Sequence, residues 1–327
     1  MSRTVRTVIA MLVSMGSMTL ATSPAEAGSV LSEFNLIVLG DLNNVTDVEG
    51  RTFVGGNLNA NTSEYGTKLT AADYAQNGAA LVVGGSINPL TKNKEQYKVF
   101  GDFHYNGSTL NQNNENVIGY HNFGGSQQTN NYVLNDVRDE VTQYSAYLAS
   151  LTATHTATIP NGSHGPAKFD LTGATGTAVF FVDGSQLFDN QFVQQLELIL
   201  GSVEHIIINV AGKDIAFSSG NFVSAFNTDA GRSRVTWNFY EATYLYFERP
   251  FDGSIIAPYA TLETNHVIAG TVVVNNLRSN SEVHLPLMTP LNPPEVPVVP
   301  LPTTAWAGMA LMGMIGGTRV VRRRRAA

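Results

Sequence analysis

The hydrophobic positions of this chain come in short runs that end at glycine. Val38, Leu39, Gly40, Asp41, Leu42 and Asn43 form one such unit. Residues 53–59, 82–88 and 99–103 form three more. Each has a β-branched or aromatic run, a Gly-Gly or Gly-Asp corner, and a further apolar position. The pattern predicts strand, tight bend, strand, with glycine supplying the backbone freedom at the bend. Irregular spacing between units suits a solenoid, whose insertions loop outward from single coils. Hairpins of a β-sandwich would give similar corners. The second half carries five further runs, at 178–182, 205–210, 235–239, 254–257 and 270–274. Several are apolar without alternation, as strands covered on both faces are. Their order and spacing predict stacked coils around one apolar column.

The period changes once. Val137, Val141, Tyr144, Leu148 and Leu151 recur at helical spacing, with Asn135 and Asp136 as candidate caps. This predicts a single helix laid over an apolar sheet surface. The Asn-, Gly- and Gln-rich segments 106–116 and 122–131 predict exposed loops.

The two ends differ from the body. Arg3 and Arg6 precede an apolar stretch over 8–20, and Ala25 and Ala27 offer small residues at cleavage positions. That is the pattern of a secretory signal peptide cut after Ala27. At the other end Pro293, Pro294, Pro297, Pro300 and Pro302 make an extended spacer. An apolar run from Trp306 to Val321, broken by Arg319, is close to the lower limit of about 17 residues for a membrane-spanning helix. Arg322, Arg323, Arg324 and Arg325 follow it and would stay on the cytoplasmic side. The expected layout is a signal peptide at 1–27, a β domain at 28–288, a linker with sorting motif at 289–302, and a membrane helix with its Arg-rich end at 303–327. The chain is then exported and held by its tail in a membrane.

Charge narrows the partners. The sequence has 19 Lys+Arg against 26 Asp+Glu. Without 1–27 and 303–327, twelve basic side chains face twenty-five acidic ones, a net charge of −13. An acidic body without a basic stripe excludes nucleic acid as the natural partner and disfavours adsorption to an anionic membrane face. No cysteine is present, so disulfides and thiolate metal sites are excluded.

Two resemblances add to this. Val299, Pro300, Leu301 and Pro302, the apolar run and the arginine cluster together resemble the exosortase-type sorting signals of the PEP-CTERM group, in its VPLPA variant. That implies an exosortase-like processing enzyme as a partner. A plain unprocessed anchor is the second option. A sortase motif at 301–305, with Ala305 where glycine is expected, is the third. The body carries Phe34 to Asp41, then Trp237, Asn238 and Phe239, then Gly253 to Pro258, Gly270 to Leu277, and Glu282, Val283 and His284. In that order these resemble the choice-of-anchor A domain of bacterial surface proteins over about 34–287. The resemblance implies an adhesive, all-β, right-handed parallel β-helix with one helix packed alongside, similar in outline to ice-binding solenoids. It implies no enzymatic activity and no ligand residues.

The chemistry legible in the residues is sparse. The seven histidines, at 104, 121, 155, 164, 205, 266 and 284, show no helical metal spacing. His104 and His121 are expected to be solvated in loops. No nucleophile elbow or phosphate-cradling loop occurs. Asp41, Asn43 and Asp47 only superficially resemble a calcium loop, and turn chemistry is the better explanation, with calcium at the coil-corner carboxylates as the alternative. Asp183, Asp214 and Asp252 are candidate acids for a polysaccharide-active enzyme only if the fold brings them together. Thr152, Thr154, Thr156 and Thr158 alternate, as do Thr172, Thr175 and Thr177 less cleanly. An ice- or crystal-surface function would require such threonines on successive coils. The expected role is a non-catalytic surface adhesin without cofactor or catalytic residue, binding extracellular polysaccharide or a neighbouring cell surface. The exposed Asn, Thr, Ser and Tyr side chains of 97–132 are the expected contacts.

Overall fold

The computed structural model describes residues 30–60, 62–89 and 95–292. The chain divides into two compact units, residues 1–290 and 291–327, and every element named below lies in the first. The proposed cleavage residues Ala25 and Ala27, the motif at Val299 to Pro302, the apolar run and Arg322 to Arg325 lie outside the described residues.

The fold is the expected parallel β-helix. Every pairing between named strands is parallel. The first ladder runs in space from Gln127–Gln128 through Asp102–His104, Ala79–Val83, Thr52–Val54 and Leu36–Val38. It continues through Val272–Ser279, Ser254–Thr264, Val235–Asn238 and Ser202–Ala211 to Thr175–Asp183.

The coils do not stack in chain order. The chain enters the column at Leu36–Val38, in its middle, and builds outward to Gln127–Gln128. The helix Leu134–Ser150 then carries it back past its own entry point. The remaining coils build inward from Thr175–Asp183 until Val272, Val273 and Val274 pair with Leu36, Ile37 and Val38. The column therefore has a seam, where its last coil docks on its first.

The helix spans that seam. Leu134 lies over Gly55, and Arg138 Nη2 donates to the Leu39 carbonyl at 3.2 Å. Further along, Ser145 Oγ donates to Asn238 Oδ1 at 2.7 Å, and Asn209 Nδ2 donates to the Leu148 carbonyl at 2.9 Å. Its 17 residues reach about 25 Å. The five rung steps from Thr52–Val54 to Ser202–Ala211 cover about 24 Å. Val137, Val141 and Leu148 are buried on its inner face. Beneath them Ile37, Phe53, Ile256 and Val273 are buried although they lie outside the main core cluster. Between Thr52–Val54 and Ser202–Ala211 the first ladder is thus covered on both sides, which explains the unbroken apolar runs there. The expected caps are corrected: Val133 is the N-cap and makes no side-chain bond, and Asn135 and Asp136 fall inside the first turn. Nor is the helix alone. Val30–Glu33, Ala71–Gln76, Gly184–Phe188 and Asp229–Arg232 are short helices, the second closed by a Thr70–Asp73 capping box.

The glycine corners work as a stack. Asp41 N–H donates to Asn276 Oδ1 at 2.9 Å, Asn57 N–H to Asp41 Oδ1 at 2.7 Å, and Ser86 N–H to Asn57 Oδ1 at 3.0 Å. Each corner side chain thus accepts from the backbone of the next coil. Such closeness leaves no room for a Cβ: one on Gly56 would lie 2.6 Å from the Gly40 carbonyl oxygen, and one on Gly85 2.4 Å from that of Gly56. The fourth repeat unit turns a different corner. It joins Tyr97–Val99 to Asp102–His104 in the first ladder. Tyr97–Val99 belongs to a third ladder, which in spatial order comprises Ile118–Tyr120, Tyr97–Val99, Ser63–Tyr65, Asp47–Val48, Glu282–His284, Ile268–Ala269 and Phe251–Asp252.

Candidate functional site

The second ladder is the open face. In spatial order it comprises Asp214–Phe217, Tyr244–Phe247, the later parts of Ser254–Thr264 and Val272–Ser279, then Leu42–Asn43, Leu58–Ala60 and Ile87–Pro89. Ile215, Leu245, Leu262, Leu277, Leu42 and Leu58 point into the core. The alternate side chains therefore form outward ranks, one rung of about 4.8 Å apart. One rank reads Asp214, Tyr244, Thr261, Asn276, then the corner residues Asp41, Asn57 and Ser86. The other reads Ala216, Tyr246, Glu263, Arg278, Asn43, Asn59 and Asn88. Six steps make this face roughly 29 Å long.

The ranks are pre-ordered by their own bonds. Asn88 Nδ2 donates to Asn59 Oδ1 at 2.8 Å, and Asn59 Nδ2 to Asn43 Oδ1 at 3.0 Å. Asn276 Nδ2 donates to Thr261 Oγ1 at 3.3 Å, and Tyr244 OH to Glu263 Oε2 at 3.2 Å. Arg278 lies 3.8 Å from Glu263. Tyr244 and Tyr246 are 36% and 37% exposed, so two aromatic rings stand in solvent at one end of the Asn ladder, and Tyr259, 52% exposed, lies at the corner of Ser254–Thr264 that leads into this face.

The third ladder carries charge. Glu282, Asp47, Glu64 and Lys98 occupy one outward rank, with Lys98 Nζ 2.5 Å from Glu64 Oε1. Burial holds the Asp47 carboxyl above its ordinary range. Its bond from Thr67 opposes the shift, and Glu282, Glu64 and Glu49 add to it. On this side of the column the strand Phe222–Ser224 belongs to a separate sheet and does not pair with Phe251–Asp252. A cleft of about 550 Å³ lies at this break. In it Arg232 Nε donates to Asp252 Oδ1 at 2.7 Å. Burial raises the Asp252 carboxyl, against the opposing effect of Arg232. A second pocket of about 530 Å³ includes Glu33, Arg51, Asn77 and Tyr132. There Tyr132 OH donates to Glu33 Oε1 at 2.6 Å and Asn77 Nδ2 donates to the same oxygen. Burial is the main cause of the raised Glu33 carboxyl.

The fold scatters the candidate acids. Asp183 caps Gly184–Phe188, and its bonds from Ser185 and Gln186 lower its pKa. Asp214 ends the open face, and Asp252 lies in the cleft on another side. Asp41 and Asn43 belong to the second ladder and Asp47 to the third, so the three do not form one loop. Among the described residues no group of three or more His, Asp or Glu is placed to hold a metal ion. His104 and His121 are packed rather than solvated: burial lowers the pKa of His104, which lies 6.2 Å from the Tyr132 ring, and His121 stacks on Phe100 at 5.3 Å. The threonine run 152–158 does not cross successive coils. Its Thr154 bonds Val179 and so lies along the outer edge of the end strand. Tyr97, Tyr105 and Tyr132 also depart from expectation. The first two are buried, and the third bonds Glu33. The exposed tyrosines of the open face were missed, although Tyr244 and Tyr246 alternate with Leu245 and Phe247 in the sequence.

A family model matches residues 27–285, nearly all of this β-helix, and is described as "Putative Ice-binding-like adhesive domain". The chain belongs to this family of ice-binding-like adhesive domains. The adhesive, ice-binding-like character implied by the sequence resemblance agrees with that membership. No curated protein matches the chain. Among solved structures, it is similar to an ice-binding protein from an Antarctic Biological Consortium, with 14% identity over 86% of this chain and 97% of that one, at a TM-score of 0.31. The ice-binding protein of the ascomycete Antarctomyces psychrotrophicus has 12% identity over 79% and 96%, at 0.32. An ice-binding protein of Shewanella frigidimarina has 12% identity over 78% and 94%, at 0.30. Among the described residues of this adhesive-family chain, no helix is long and apolar enough to cross a membrane.

Proposed function

We propose that this chain is a non-catalytic, exported surface adhesin whose second ladder binds hydroxyl-rich extracellular polysaccharide or a neighbouring cell surface. The observation that carries this is the open face itself. The helix covers the central rungs of the first ladder, whereas the second leaves ordered ranks of Asn, Thr and Tyr in solvent. Amide and hydroxyl groups in fixed register match sugar hydroxyls, and exposed tyrosine rings offer stacking surfaces. Single contacts of this kind are weak, so affinity rises with valency. The experiment is an array of glycans and matrix proteins, probed with monomeric and clustered protein, with and without calcium. Clustering is expected to raise retention by at least tenfold. If neither form binds, the adhesive role gives way to that of a passive coat.

The tail completes the proposal. An exosortase-like enzyme processes the motif at Val299 to Pro302, and the apolar run with Arg322 to Arg325 holds the chain in the membrane until then. Deleting residues 300–327 is expected to release the protein into the medium, measured by cell fractionation. Unchanged cell association would contradict the anchor.

Ice or crystal-surface binding is the second reading, favoured by the family description. Against it, the outward ranks hold no row of threonines, and Glu263 and Arg278 interrupt them. Thermal hysteresis of the purified protein separates the two readings. A polysaccharide-cleaving enzyme has less support. Asp252 and Glu49 share a rank three rungs apart, about 14 Å, beyond the separation of about 5–9.5 Å that paired glycosidase acids use. Asp229 and Asp252 are closer, but Arg232 bonds both.

A further inference from the structure

The cleft on the third side of the column has the build of a ligand site separate from the open face. It exists because of an insertion. After Phe222–Ser224 the chain leaves the column to form Ala225–Asn227 and Asp229–Arg232, and returns at Val235–Asn238. The third-side strands on the two sides of this excursion do not pair, and the gap between them is the cleft. One wall is a rank of the third ladder: Asp252, Ala269, His284 and Glu49, on four successive rungs. The rank is about 14 Å long. Ala269 is the only short side chain in it, which gives the cleft its depth. Phe222 and Phe251 back the cleft at 7% and 1% exposed, and Pro250, Val267, Leu285 and Pro286 complete its apolar floor.

The polar groups are mainly acceptors. The guanidinium of Arg232 is already engaged: Nε donates to Asp252 Oδ1 at 2.7 Å, Nη2 to Asn227 Oδ1 at 2.5 Å, and Nη1 lies 3.4 Å from Asp229 Oδ1. Glu49 Oε2 accepts from the Leu285 N–H at 2.9 Å. An ionised carboxylate offers about four lone-pair positions, so Asp252, Asp229 and Glu49 retain capacity for donors brought by a ligand. An incoming anion would meet Asp252, Asp229 and Glu49, and the guanidinium of Arg232 is already engaged by Asp252, Asp229 and Asn227. A ligand rich in hydroxyl donors, with apolar C–H faces to lay on the floor, suits these walls. The volume of about 550 Å³ is within the usual range for small-molecule sites.

We propose that this cleft binds a short stretch or chain end of a neutral, hydroxyl-rich saccharide and excludes acidic sugars. The site is independent of the open face. It would give the protein one selective contact beside many unselective ones.

The test uses the full chain in a zwitterionic detergent without a sugar headgroup, titrated with cellotetraose, maltotetraose, chitotetraose and trigalacturonic acid up to about 5 mM. Binding is read by isothermal titration and saturation-transfer NMR. At least one neutral tetrasaccharide is expected to bind with Kd near ~1 mM, and trigalacturonic acid at least tenfold more weakly. Ala269→Leu fills the cleft and is expected to weaken the neutral ligand at least tenfold without a change in circular dichroism. Asp229→Arg acts at a side chain 89% exposed, so it spares the fold, and it is expected to shift preference toward trigalacturonic acid. The proposal is overturned if no neutral tetrasaccharide binds, if trigalacturonic acid binds the parent as well as they do, or if both variants bind like the parent. Binding that survives both variants but is lost on removing Tyr244, Tyr246 and Tyr259 would place the ligand on the open face. That result would refute the cleft site and leave the adhesive function intact.

Discussion

Trp237→Ala is expected to destabilise the domain by about 4 kcal/mol, the usual scale for removing a buried large aromatic ring. For a domain of this size that corresponds to a fall in Tm of about 10 °C. Trp237 is fully buried and lies within 5.8 Å, centroid to centroid, of Phe169, Phe188, Phe222, Phe226 and Phe251. These residues come from four separate stretches of the second half, and the indole is where they meet. Its Nε1–H also donates to the Asp252 carbonyl at 3.0 Å, so truncation leaves that acceptor without its partner as well as a cavity. Trp237→Phe keeps most of the ring volume and is expected to cost clearly less. Thermal unfolding followed by circular dichroism measures both. Equal Tm values for the alanine variant and the parent would refute the placement of Trp237 at the centre of the core.

Asn35→Ala is expected to cost about 3–5 kcal/mol, far more than a surface Asn would. Asn35 is fully buried at the seam. Its Nδ2 donates to the carbonyls of Gly270 at 3.0 Å and His284 at 3.1 Å, both in the last coil. Its Oδ1 accepts from the Gly50 N–H at 3.1 Å, on the way into the next coil. The side-chain amide thus bonds the backbone on both sides of the joint, as a peptide group would in an uninterrupted column. Alanine removes all three bonds in a place water does not reach. Asn35→Asp keeps the acceptor but loses both donations, and is expected to be destabilising as well. Hydrogen exchange would locate the damage: amides of 36–38 and 272–274 are expected to lose protection together. A loss confined to one of these strands would contradict the seam.

Much of the fold was legible because both of its signals are local. The apolar runs at 178–182, 205–210 and 235–239 fall within Thr175–Asp183, Ser202–Ala211 and, but for Phe239, Val235–Asn238. The helix at Val137 to Leu148 was equally plain, since its apolar period meets a flat buried surface. The order of the coils was not legible. Leu36 pairs with Val272, and no pattern in the sequence distinguishes that neighbour from any other valine-rich strand. Parallel stacking is specified by shape and by residues such as Asn35, whose role appears only once the joint exists. The candidate site divides in the same way. Tyr244 and Tyr246 alternate visibly with buried residues, yet which strand face stays open depends on where the helix lies. The cleft depends on a break in pairing that Asp229, Arg232 and Asp252 do not announce.

Adhesion through the open face is tested by removing the tyrosine rings on and beside it. Clustered parent and a clustered variant with Tyr244, Tyr246 and Tyr259 all changed to alanine would be compared on the array surface that retains the parent best. These side chains are 36–52% exposed, so the variant is expected to keep its Tm within about 2 °C. Loss of three stacking contacts, multiplied by clustering, is expected to reduce retention at least tenfold. A folded variant that is retained as strongly as the parent would contradict adhesion through this face.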